Sequence, residues 1–183
     1  MNMQPILEDD LIISRPLCKD DYKALYEVAR DPLIWEQHPC KDRYKKEIYS
    51  NFFIESINSK GTFVIIEKSN NKVIGSTRFK KVINVENAIE IGWSFLSRDK
   101  WGGKYNKAMK NLMINYAFEF MDYVIFYIGK DNFRSQRAVQ KIGGERIVSS
   151  HLKHLIKESE TDWTYQINKE NWKIKLKQAA GNG

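Results

Sequence analysis

The 183-residue sequence predicts a mixed α/β domain. Its centre is a largely antiparallel sheet of about seven strands, parallel in the middle, with helices on both faces. Three observations carry this prediction. The elements follow the order strand, helices, three strands, helix, strand, helix, two strands. "TFVIIEK", the turn "SNNK" and "VIGSTRFKKVI" give an antiparallel hairpin signal. "YVIFYIGK" is apolar without alternation, as expected of a strand covered on both faces.

Each element has its own signature. "DLIISRPL" (10–17) alternates as a strand, and "CKDDYKALYEVARD" reads as a helix with Leu25, Val28 and Ala29 on one face. Asp31-Pro32 ends it, and "PLIWEQHP" is a short helical turn closed by Pro39. A helix is predicted over 42–58, with Ile48, Phe52, Ile54 and Ile57 among its apolar members. After the hairpin, "AIEIGWSFLS" (88–97) is a further strand. Met109, Leu112, Met113, Tyr116, Ala117 and Phe120 recur at helical spacing, which predicts an amphipathic helix over 104–120. A short helix over 132–142, strands near 144–157 and 162–168, and a terminal helix in "NKENWKIKLKQ" complete the chain.

Composition bounds the function. Hydrophobic residues at 42% and aromatics at 13% fit a folded chain, and its length suits one domain, 1–178, followed by a small-residue tail, 179–183. Two cysteines, Cys18 and Cys40, are too few for a disulfide framework. No apolar run has the length of a membrane span, and the start lacks a signal-peptide layout, so the expected location is cytoplasmic with no membrane partner. The formal charge of +7 fits an anionic ligand, nucleic acid or solubility alone. No nucleic-acid motif is present, and no direct nucleic-acid partner is expected. His151 and His154 fall on opposite faces of a predicted strand, so no metal site is expected.

Two stretches point to chemistry. In "RDKWGGKYNKAMK" (98–110), Gly102 and Gly103 separate a strand from a helix whose first turns carry Lys104, Lys107 and Lys110. A helix N-terminus favours anions, so lysines there fit either plain solvation or a bound anion such as phosphate. Lys110 is expected to point to solvent. In "NFRSQRAVQKIGG" (132–144), Asn132 suits a helix cap and Gly143 a helix end. Arg134, Arg137 and Lys141 share one helical face, which is either solvated or holds an anion.

Together these stretches resemble the GCN5-related N-acetyltransferase (GNAT) superfamily, in the branch of the ribosomal-protein N-terminal acetyltransferases. The resemblance runs from "IISRPLCKDDYKALYEVARDPLIWEQHP" through "EIGWSFLS", "WGGKYNKAMK" and the N-x-x-S-x-x-A-x-x-K-x-G run Asn132–Gly143, to "DWTYQINKENW". It implies a splayed parallel centre at strands 89–97 and 123–130, with the pantetheine of acetyl-CoA between them. It also implies that acetyl-CoA is the co-substrate, held by Phe95, Leu96, Ser97, Gly102, Gly103, Lys104, Tyr105, Asn106, Lys107, Asn132, Arg137 and Lys141. On the family's Arg/Gln-x-x-Gly-x-Gly/Ala loop, this chain has Lys104 and Asn106 where glycines are usual. The backbone amides from Gly102 to Lys107 remain.

The implied reaction is transfer of an acetyl group to a primary amine by direct attack in a ternary complex. The amine must lose a proton and the carbonyl oxygen needs a donor. Glu90 is the candidate general base, through a water; otherwise it pairs with a surface lysine or Arg78. A backbone N–H around Trp93–Phe95 would polarise the carbonyl. The position at which many relatives carry a thiol-protonating Tyr is Val139, and Ser135 is the candidate donor in its place. Trp35, His38 and Trp93 are candidates for the acceptor pocket, or core aromatics. The acceptor is a small-molecule amine or a protein N-terminus, and a homodimer is compatible with the sequence. The alternatives are a degenerate relative that binds CoA or a partner without turnover, and a basic nucleic-acid-binding module.

Overall fold

The structure, a computed structural model, describes residues 1–148, 150–156 and 159–181. Eight strands form a sheet: β1 (Leu7–Glu8), β2 (Ile12–Pro16), β3 (Thr62–Glu67), β4 (Lys72–Lys81), β5 (Ala88–Leu96), β6 (Tyr123–Gly129), β7 (Glu145–Arg146) and β8 (Asp162–Asn168). Their order is β1-β2-β3-β4-β5-β6-β8-β7. The six helices around it are α1 (Tyr22–Ala29), α2 (Pro32–Trp35), α3 (Lys46–Asn58), α4 (Lys104–Ala117), α5 (Phe133–Lys141) and α6 (Lys169–Gly181). The sheet is mostly antiparallel; β5 and β6 are parallel, with Ala88 opposite Tyr123 and Glu90 opposite Ile125. The sheet therefore has the expected class, and the extra strand is the two-residue β1, too short to leave a periodic signal.

The chain divides into two compact units, Met1–Lys80 with Ile91–Met113, and Lys81–Glu90 with Ile114–Gly183. In the first, β2 pairs with β3 and β3 with β4, both antiparallel. Its core gathers Leu25, Ala29, Trp35, Phe52, Val64 and Phe95. Removing such side chains from water stabilises the fold by about 1.5–3 kcal/mol each. Asp31 caps α2 by accepting the Leu33 N–H at 3.0 Å, with Pro32 at the first helical position. In the second unit, β8 pairs antiparallel with both β6 and β7. A second core holds Ala88, Ile125, Ile147 and Leu155.

Three boundaries differ from expectation. The helix expected over 42–58 is a 3-10 turn, Lys41–Tyr44, followed by α3, because Lys45 adopts an extended conformation between them. Of the apolar members named for this helix, Phe52 is buried and Ile54 is exposed, and Tyr49 and Phe53 are buried beside Phe52. The helix over 104–120 ends at Ala117, and Phe120 is exposed. The strand near 144–157 reduces to β7 and a 3-10 turn, Ser150–Leu155, which holds the backbone of both His151 and His154. The expected tail lies partly outside the described residues.

Candidate active site

The first unit builds an anion-receptive loop. β5 ends at Leu96, whose carbonyl accepts the Trp101 indole N–H at 2.9 Å, and the Ser97 N–H donates to the Ile74 carbonyl at 2.8 Å. These two bonds fix where the chain leaves the strand. Gly102 has φ +69, the left-handed region that glycine adopts without steric cost, and a Cβ built there meets nothing within 4 Å. At Gly103 the nearest atom to such a Cβ is the Trp101 carbonyl oxygen, at 3.9 Å. Among the described residues no side-chain atom lies within 4 Å of a Cβ built at either glycine, and α4 begins at the next residue, Lys104. Lys104 and Lys107 are exposed and form no ion pair among the described residues. The first-turn amides of α4 and these ammonium groups suit a diphosphate, the group that the resemblance assigns here.

The loop is tied to the hairpin by a carboxylate that sequence reasoning missed. Glu67, at the end of β3 and only 5% exposed, accepts from Lys100 Nζ at 3.0 Å, from Asn70 Nδ2 at 2.8 Å, and from the Tyr105 hydroxyl. The Tyr105 and Lys100 hydrogen bonds hold the Glu67 carboxyl down at about 2, against the opposing effect of burial. The same bond to Glu67 raises Lys100. Tyr105, an expected cofactor residue, thus commits its side chain to the anchor and offers its backbone N–H. A Glu at the end of an apolar strand looks like an ordinary solvated strand end in the sequence.

A second group lies under β5. Trp93 has φ +51, an outlier for a bulky residue, so the strand kinks there. The Ser94 hydroxyl beside the kink meets the Thr77 hydroxyl at 2.7 Å and accepts from Lys110 Nζ at 2.6 Å. Lys110 is therefore not directed to solvent: it is 6% exposed, on the inward face of α4. Burial lowers its ammonium to about 7. Its position in a run of lysines concealed it, because helical phase places it one turn before Met113 and level with the core positions.

The expected acceptor residues also lie in this unit. Trp35 is 3% exposed, and its indole N–H donates to the Ala29 carbonyl at 2.6 Å, so it forms a wall of the core. His38 meets it edge-on at 5.6 Å. The Trp93 ring packs on the same core, with the Arg78 guanidinium 4.4 Å and Lys80 Nζ 5.4 Å from its centroid. Arg78 also donates to Ser56 Oγ at 2.6 Å and to Thr62 Oγ1 at 2.9 Å. The Phe95 side chain packs on Trp35 at 5.0 Å, so any contribution to a cofactor comes from its backbone.

In the second unit, Glu90 is buried on β5. Burial, and after it the Glu90 charge, raise the Tyr127 hydroxyl to about 12. The Asn132 side chain accepts the Ser135 N–H at 3.1 Å and caps α5, as its place in the sequence indicated. Ser135 lies in the first turn of α5, and Arg137 and Lys141 are exposed further along it. Val139 is buried, and Gly144 packs so closely on it that an added Cβ would lie 2.2 Å from Val139 Cγ1. Among the described residues no group of three His, Cys, Asp or Glu side chains is placed to hold a metal ion.

Residues 11–145 match the family model of the acetyltransferase (GNAT) domain, so the chain belongs to that family of N-acetyltransferases. Solved structures share its fold. A GNAT-family acetyltransferase from Bacillus anthracis is 22% identical, with a TM-score of 0.71 over 91% of this chain and 99% of that one. A GCN5-related N-acetyltransferase from Brucella melitensis is 17% identical, with a TM-score of 0.79 over 96% and 83%. RimJ from Mycobacterium smegmatis, solved in complex with CoA-disulfide, is 13% identical, with a TM-score of 0.66 over 92% and 88%. No curated protein matches the sequence.

Proposed function

We propose that the protein transfers the acetyl group of acetyl-CoA to a primary amine, by direct attack in a ternary complex. The observation that carries this reading is the uncovered Gly102-Gly103 turn running into α4, with two exposed lysines and a side-chain anchor on Glu67. Acetyl-CoA supplies an activated thioester. The chain's residues do the rest. The amides from Gly102 to Lys107, with Lys104 and Lys107, hold the diphosphate. Backbone N–H groups at the Trp93–Phe95 kink donate to the acetyl carbonyl oxygen as it gains charge. Glu90 takes the amine proton through a water, and a buried carboxylate suits that task. The amine nitrogen bonds to the carbonyl carbon as the carbon–sulfur bond breaks. Ser135 donates to the departing sulfur, and a thiol of ordinary pKa, about 8.5, leaves with little further help. Arg137 and Lys141, exposed on α5, are the residues that the resemblance assigns to the nucleotide phosphates, and Asn132 caps the helix that carries them. The domain is proposed to span 1–178, and the acceptor to be a small amine or a protein N-terminus.

The buried Val139 favours a second reading, in which the fold binds CoA without turnover. A panel of amines incubated with acetyl-CoA separates the two. Amine-dependent release of free CoA thiol, with the acetylated amine seen by mass, supports transfer. Tight CoA binding with no thiol release for any amine would leave only the binding reading.

A further inference from the structure

Ser94 is the one exposed residue of β5. It follows the kink at Trp93, whose φ of +51 is a strained conformation for a bulky residue. Its hydroxyl meets side chains from two other elements. Thr77 Oγ1, on β4, lies 2.7 Å away, and Lys110 Nζ, on α4, lies 2.6 Å away. Both of these residues are buried, Thr77 at 0% exposed and Lys110 at 6%. The Gly92 carbonyl oxygen, at 3.3 Å, is a longer alternative for the hydroxyl proton. An exposed hydroxyl thus sits on a buried amine.

The direction of the Lys110 bond depends on charge. An ammonium can only donate, and Ser94 Oγ then accepts. Burial lowers the Lys110 ammonium to about 7, so near neutral pH much of it is the free amine. A free amine has a lone pair, and the contact reverses. Ser94 donates its proton to Nζ, while the Thr77 hydroxyl donates to Ser94 Oγ. That is the arrangement of a nucleophile, its base and an orienting group. A bond made only to satisfy a buried lysine would need no access from outside, whereas Ser94 is exposed. The backbone N–H groups proposed to polarise the acetyl carbonyl belong to the same stretch, Trp93–Phe95.

We propose that Ser94 is a nucleophile activated by Lys110, which gives the protein a second activity, hydrolysis of a short acyl thioester when no amine is bound. The choice of a thioester rests on the transferase reading above; the nucleophile does not. Ser94 Oγ bonds to the acyl carbonyl carbon as the carbon–sulfur bond breaks. The Oγ proton passes to Lys110 Nζ and from there to the departing sulfur. Water then attacks the acyl ester on Ser94. Lys110 takes a proton from that water and returns it to Oγ, and the carboxylic acid leaves. Thr77 is a positioning residue that directs the Ser94 proton toward Nζ.

Covalent labelling tests the nucleophile without CoA. A fluorophosphonate, which loses fluoride to a reactive serine, should add once per chain, and peptide mapping by mass should place the adduct on Ser94. Ser94→Ala should abolish it. Lys110→Met should slow it by at least about a hundredfold. Melting temperatures check that the variants fold. Lys110→Gln, which keeps a hydrogen bond to Ser94 but takes up no proton, serves where Lys110→Met does not fold. Acetyl-CoA without any amine should then release free thiol in the wild type and not in Ser94→Ala. No adduct, an adduct elsewhere, labelling that survives loss of Lys110 at the same rate, or no amine-independent thiol release would overturn the proposal. The transferase reading fails on a different result, the absence of extra thiol release when an amine is added.

Discussion

Lys110 and Glu67 each carry a charge that the fold treats in opposite ways. Lys110 is buried with its ammonium lowered to about 7, so between about pH 7 and its ordinary 10.5 the unfolded chain binds a proton that the folded chain does not. The folded state is therefore penalised at and below pH 7 and relieved as pH rises. Relative to Lys110→Met, wild-type stability should increase as pH rises above 7, by on the order of 2 kcal/mol between pH 7 and pH 9. Denaturant titrations of the two proteins at pH 7 and pH 9 measure this; a constant difference would contradict the burial of the ammonium. Glu67 runs the other way: its carboxyl is depressed to about 2, so its contribution is present above pH 4.5 and is lost as pH falls toward 2. Glu67→Gln should weaken acetyl-CoA binding roughly tenfold at neutral pH. It should also speed hydrogen exchange at the amides of residues 100–105. Unchanged exchange would remove Glu67 as the loop anchor. Neither residue was legible as special: Lys110 is one of three lysines at one helix start, and Glu67 is an ordinary strand-end residue. What distinguishes them is burial, which arises from neighbours far away in sequence.

Elements fared better, because periodicity is local and most of these segments obey it. β2, β3, β4, β5, β6 and β8 fall where alternation or continuous apolarity puts them, and α5 starts at the Asn132 cap and stops at Gly143, whose φ is +96. The misses have physical causes. Lys45 in extended conformation splits the 42–58 helix and lets Arg43 turn onto Phe52, a feature without a sequence signal. β5 is legible as a strand, but its kink at Trp93 is not, since nothing in a tryptophan asks for φ +51. The hairpin is locked against β5 by close backbone approach: a Cβ at Gly75 would lie 2.1 Å from the Phe95 carbonyl oxygen. Gly75→Ala should therefore destabilise the protein by about 3 kcal/mol, measured as a lowered melting temperature. A neutral Gly75→Ala would mean that β5 is free to shift away from β4.

At the scale of the whole molecule, the family was legible because its motifs are spaced along the chain in fixed order, and the acceptor was not. Motif spacing reports the scaffold and the family's co-substrate, whereas acceptor choice depends on side chains that meet only after folding. No helix among the described residues is long and apolar enough to cross a membrane. Acetyl-CoA is proposed to bind through the loop from Trp101 to Lys107. The most direct test follows melting temperature during titration with acetyl-CoA, in the wild type and in Gly103→Asp. The substitution meets no crowding, since the nearest atom to a Cβ there is 3.9 Å away, and it sets a negative charge against the diphosphate. At about 100 times the dissociation constant, the wild type should gain about 2.7 kcal/mol, or roughly 5–10 °C. Gly103→Asp should melt at the wild-type temperature without ligand and lose that gain. An equal gain in both proteins would place the co-substrate elsewhere, and no gain at millimolar acetyl-CoA would contradict the account.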